Sequence, residues 1–201
     1  FYSANSSIIE PIAYFWTNVN PNPPIMQGSS YDGANYAIRN LTGGVGAVNS
    51  TIAPTDEIVV GQGLIIKKTN TGNANIIFNN SMRTSSKGTF FNARTASTDN
   101  KIWLKLTTPA KNFNTLLIGY VKGATNGLDR GYDAEPITQS SDMFYSVIDN
   151  KNLVIQGRNN SFTNNDIVTL GATFFEKGNY EISISQVEGI FNGSQAVYLR
   201  D

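Results

Sequence analysis

The 201-residue chain has no cysteine and no histidine. Thiolate and imidazole are the usual ligands of transition metals, so zinc, copper, haem and iron–sulfur centres have no ordinary donors here. Without an imidazole there is no Ser-His-Asp or Cys-His relay either. Charge is also scarce: 15 basic residues balance 15 acidic ones, and charged positions make up 15% of the chain. No basic patch marks a nucleic-acid or anionic-lipid partner. Long apolar runs are missing, and no stretch approaches the roughly 18 apolar residues of a membrane span, so no membrane insertion is expected.

Polarity comes instead from Ser, Thr, Gly and 25 asparagines. Asn tolerates positive φ and closes Asx-turns, which suits a chain of many turns under a neutral surface. A chain of this length buries roughly 70% of the surface it exposes when unfolded and can build a core without staples. A single domain is expected over 1–201, loop-rich over 1–56. The start at Phe1 without a leader, and the strand-like finish "QAVYLRD", suggest a piece of a larger protein.

Short apolar runs alternate with polar residues between Gly/Asn/Asp/Ser clusters, and no segment keeps a 3.6-residue period. This predicts an all-β fold, a jelly-roll-like antiparallel β-sandwich of about a dozen strands. "NYEISISQV" (179–187) places Tyr180, Ile182 and Ile184 on one face, and "KIWLKLT" (101–107) has residues suited to cover on both. "GLIIKKT" and "NANIIFNNS" around "NTG" predict one hairpin, and "MFYSVI" and "NLVIQG" around "DNK" another. Further strands are expected in "AYFWTNV", "NYAIRNL", "EIVVG", "TLLIGYV", "DIVTLGA" and "AVYLR". The proline-containing stretch 18–35 reads as a long loop, and 40–57 as a second irregular one.

Four features invite chemistry. "GGVGAV" (43–48) has glycines that could approach a phosphate, but it lacks the Lys-Ser/Thr of a P-loop and a following helix, and reads as a surface loop. Pairs of acids could serve glycoside hydrolysis, although spacing along the chain does not reveal which acids meet. Tyr14, Trp16, Tyr31, Tyr36 and Trp103 are the pieces of a sugar-stacking platform, with Trp16 and Trp103 as the glycan ligands, unless both tryptophans lie in the core. In "GYVKGATNGLDRGYDAE" (119–135), Asn126, Asp129, Asp133 and Glu135 offer hard oxygens for calcium, with glycines to wrap the ion. The competing reading is a structural loop in which Arg130 pairs with one of these carboxylates and Asn126-Gly127 makes a tight turn.

Taken together, "VGQGLIIKKTNTGNANIIFNNSMR", "IWLKLTTPAKNFNTLLIGYVKGATNGLDRGYDAE", "FYSVIDNKNLVIQGR", "DIVTLGA" and "GNYEISISQVEGIF" resemble a module of large Bacteroidota surface proteins. The resemblance covers residues 57–201. In those proteins the module lies before a C-terminal sorting domain of the type IX secretion system. The resemblance implies a secreted or cell-surface, adhesin-like and non-catalytic module of attachment or gliding motility. Its partner would be the type IX secretion machinery, acting through a sorting domain outside this chain. A carbohydrate-binding module of a secreted polysaccharide-degrading enzyme, with a surface glycan as partner, is the alternative, and a hydrolase is the third reading.

Overall fold

The computed structural model describes residues 1–17, 35–69, 72–85, 99–138, 142–193 and 195–201. Tyr31, most of the 18–35 stretch and part of "NTG" lie outside these residues. Among the described residues a one-turn helix, Tyr2–Asn5, precedes eleven strands. In chain order these are β1 (Ile9–Trp16), β2 (Tyr36–Arg39), β3 (Gly44–Val45), β4 (Ile65–Lys68), β5 (Asn100–Thr107) and β6 (Phe113–Val121). They continue with β7 (Met143–Ile148), β8 (Lys151–Leu153), β9 (Ile155–Asn159), β10 (Leu170–Thr173) and β11 (Glu181–Glu188).

The expected all-β sandwich is what the chain forms, layered as three sheets with strand orders β3-β2-β1-β4, β11-β5-β6-β9 and β10-β7-β8. Pairing is antiparallel except between β6 and β9. Among the described residues no helix is long and apolar enough to cross a membrane.

The β11-β5-β6-β9 sheet is the middle layer, and its strands explain why. Leu116 and Leu117 are adjacent in β6 and so point to opposite faces, yet both are fully buried. Each such burial is worth roughly 1.5–3 kcal/mol, so both faces must be covered. On one face Trp103, Leu117 and Ile155 meet Ile12, Tyr14, Ile38 and Val45 of the first sheet. On the other, Ile102, Leu104, Leu106, Leu116, Ile118 and Tyr120 meet Phe144 of β7. The double cover expected for "KIWLKLT" is therefore present. The loop-rich first 56 residues supply β1 to β3, and with them one side of the first core.

The hairpin around "DNK" forms through β7 and β8, with Asp149 and Asn150 both at positive φ, as a tight hairpin turn requires. Its second arm, however, does not run on to Gly157. At Val154 the chain crosses to the middle sheet and continues as β9 beside β6. The hairpin expected around "NTG" has one strand, β4. Residues 73–79 form no strand, and Ile77 is held instead by the buried Asn5 side chain, which accepts from Ile77 N–H at 2.7 Å and donates to its carbonyl at 3.0 Å.

"EIVVG" and "AVYLR" also form no strand. Val60 is 98% exposed and has no layer to pack against. "DIVTLGA" contributes only its second half, to β10. In β11 the alternation is real, but Ile182 and Ile184 remain half exposed at the sheet edge. A bulge between Ile184 and Gln186 then shifts the phase, so that Val187 turns toward the core.

Candidate functional site

Among the described residues, the loop that follows β6 is densely bonded to its surroundings. It leaves at Val121, passes Gly123 at φ +98°, and ends in a bridge between Ala134 and Ile155 of β9. An added Cβ at Gly123 would collide with the Tyr132 hydroxyl, so the close turn needs glycine there.

Asp129 folds the loop by accepting a hydrogen bond from the Thr125 N–H. Asp133 lies beneath it, 5% exposed, and accepts from the N–H groups of Asp129 at 2.5 Å and Gly157 at 2.9 Å. Burial pushes the Asp133 pKa up to about 6, against the opposing pull of those two donors. Asn126 accepts from the Asn159 N–H at 3.2 Å, and the Glu135 carboxylate meets Lys151 Nζ at 3.1 Å.

The four residues expected to ligate calcium are thus engaged with four separate sets of protein partners. Among the described residues no group of three or more acidic side chains is gathered as a metal site. The Gly127 N–H donates to Thr125 Oγ1 at 3.1 Å, which closes the Asn126-Gly127 turn.

Arg130 does not pair within the loop, contrary to expectation. Its Nε donates to the Glu10 carboxylate of β1 at 3.0 Å, and its Nη2 donates to the Ser6 and Ile9 carbonyls at 2.9 and 2.8 Å. Asp129 and Asp133 are turned toward backbone N–H groups and Glu135 toward Lys151, and the guanidinium reaches outward. On the same side the Asn40 and Thr42 side chains donate to the Tyr132 carbonyl at 2.8 and 2.6 Å. The Tyr14 hydroxyl donates to the Glu135 carbonyl at 3.1 Å. The loop is a clasp joining β1, the β2–β3 turn, β8 and β9.

The glycines paired across β6 and β9 let the clasp close. A Cβ on Gly119 would lie 2.6 Å from Thr42 Cγ2, and one on Gly157 would lie 2.6 Å from Thr42 Oγ1 and 2.7 Å from Tyr132 Cβ.

Of the aromatic set, Trp103 and Tyr14 are buried, and Trp103 Nε1 donates to the Gly44 carbonyl at 2.9 Å. Trp103 is therefore core rather than sugar platform. Trp16 is 41% exposed at the end of β1, edge-on to Tyr36 at 5.4 Å between ring centroids. "GGVGAV" is not a surface loop: Gly44 and Val45 form the buried strand β3.

A cluster absent from the sequence reading lies on the other face of the middle sheet. Arg158 forks onto Asp166 at 3.0 and 2.6 Å, and the Tyr120 hydroxyl donates to the same carboxylate at 2.5 Å. Burial works to raise the Asp166 pKa, and the bonds from Arg158 and Tyr120 outweigh it, so the group is held below the ordinary aspartate value. The alternation of Gln156 and Arg158 with Ile155 and Gly157 in β9 was the available signal: polar side chains at inward positions need partners.

A cavity of about 40 Å³ lies between the layers, lined among others by Tyr36, Ile38, Val45, Thr115 and Phe144. It has room for a water or two, next to the Thr115 hydroxyl, which has no partner among the described residues. Among the described residues no carboxylate lines it.

The whole chain, residues 1–201, matches the family described as a domain of unknown function (DUF8693), and it belongs to that family. No curated protein and no solved structure matches it.

Proposed function

We propose that this DUF8693 domain is a non-catalytic β-sandwich module of an adhesin-like surface protein exported by type IX secretion. Its task would be mechanical: to hold a rigid, neutral body at the cell surface. The observation that carries this reading is the clasp. Of the polar side chains best suited to chemistry, Asn126, Arg130, Asp133 and Glu135 tie the loop to β9, β1 and β8, and Asp129 folds the loop itself. Neutral charge and an Asn-rich exterior support the same role, since such a surface attracts few unintended partners.

The test is immunolabelling of whole cells of the source organism with an antibody raised against this domain. Labelling before permeabilisation is the expected result. Labelling that appears only after permeabilisation would overturn the proposal.

The exposed Trp16 beside Tyr36 favours a second reading, a carbohydrate-binding module. A glycan array distinguishes the two. Glycan binding that Trp16→Ala abolishes while the melting temperature stays unchanged would replace the first reading with the second.

A further inference from the structure

The outer side of β11 has no strand paired to it among the described residues, because β11 ends the middle sheet. Its first four residues, Glu181 to Ile184, hold neither proline nor lysine, Glu181 is their one charge, and the bulge comes only after Ile184. Ile182 and Ile184 face the same side as Leu106 and Leu104 of β5, toward the second core, and are 40% and 53% exposed. Nearby, Phe174 packs against Tyr180 at 4.7 Å and is itself exposed. Backbone groups and apolar side chains are thus both left open along this edge.

The same chain carries a matching strand that is not used. "AVYLR" (196–200) alternates as a strand does, joins no sheet, and exposes Val197, Tyr198 and Leu199. Laid antiparallel on β11, it has one register that matches throughout. Val197 falls opposite Ile184, Leu199 opposite Ile182, and Arg200 opposite Glu181 on the other face. Apolar side chains continue the core layer while opposite charges pair across it.

The segment does not reach this edge within its own chain. After β11, Gly189–Asn192 turns back over the paired side. The Ile190 N–H donates to Asn100 Oδ1 of β5 at 3.0 Å, and the Phe191 ring lies 5.9 Å from that of Tyr120 in β6. Ile190 and Phe191 are therefore held on the paired side of β11, not along its free edge.

We propose that Ala196–Arg200 of one copy adds as an antiparallel strand to the free edge of β11 in a second copy. Every copy offers both a donor segment and an acceptor edge. Two copies can exchange segments reciprocally, or many can join head to tail. The proposal goes beyond the surface role and does not depend on it.

Sedimentation of the full 201-residue chain over a range of concentrations tests it. Reversible growth above the 21.9 kDa monomer is expected. Ile184→Lys and Leu199→Asp should each weaken association at least about tenfold by placing a charge in an apolar seam. Both positions are exposed in the monomer, and Leu199 lies outside every sheet, so thermal unfolding should be unchanged. Glu181→Arg and Arg200→Glu alone should each weaken it about threefold to tenfold, and the double variant should restore it. A chain that stays monomeric throughout overturns the proposal. So does association that ignores the Ile184 and Leu199 variants, or charge swaps that fail to rescue each other.

Discussion

At Asp133 two opposing effects meet. Burial beneath the loop disfavours the charged carboxylate, while two backbone N–H donors favour it, and burial wins, leaving the pKa at about 6. An acid whose pKa is raised on folding stabilises the fold when protonated. Its contribution is complete below the unfolded value near 4 and is lost as the pH rises through about 6. Chemical denaturation between pH 4 and pH 7 should therefore show stability falling across that window. Asp133→Asn should flatten this part of the profile, at a cost of about 1 kcal/mol for the acceptor it removes.

The two tryptophans should separate just as clearly. Trp103→Ala empties a core position and orphans the Gly44 carbonyl, so unfolding titrations should register a loss of about 3–5 kcal/mol. Trp16→Ala, at an exposed strand end, should stay within about 0.5–1 kcal/mol.

At the scale of elements, Gly119 and Gly157, paired across β6 and β9, leave space for the β2–β3 turn. Gly157→Ala brings a methyl group against Thr42 and Tyr132 together. Neither neighbour is a flexible side-chain end at the surface, so the clasp must lift. A loss of about 1–3 kcal/mol is expected, with faster hydrogen exchange at the Gly157 and Asp129 amides, which donate to Asp133.

Strand identity was legible wherever a short apolar or alternating run coincided with a neighbour to pair with, as in β5, β6 and β7. It misled where the pattern was present without the neighbour. "AVYLR" and "EIVVG" read as strands, because the pattern reports the preference of a segment and pairing depends on the rest of the fold. The crossing at Val154 was hidden for a related reason. "NLVIQG" is one apolar run, and nothing local to it says that its first half faces β7 and its second half β6.

Across the whole molecule, the all-β class followed from composition and turn density, but the three-layer arrangement did not. Adjacent residues buried toward opposite faces, Leu116 with Leu117 and Ile102 with Trp103, show that the middle sheet is covered twice. The role of Arg130 was equally out of reach, since Glu10 lies 120 positions earlier in the chain. What could be read was that the 119–135 run held unusual polar content. Distinguishing an ion site from a clasp required knowing which backbone amides its carboxylates face.

That distinction is the centre of the account and can be measured directly by thermal unfolding, once with excess calcium and once with a chelator. An ion held at 100 times its dissociation constant adds about 2.7 kcal/mol, or roughly 5–10 °C for a domain of this size. If Asn126, Asp133 and Glu135 serve to join strands and Asp129 to fold the loop, the two melting temperatures coincide. A rise of several degrees with calcium, abolished by Asp129→Asn, would contradict the account.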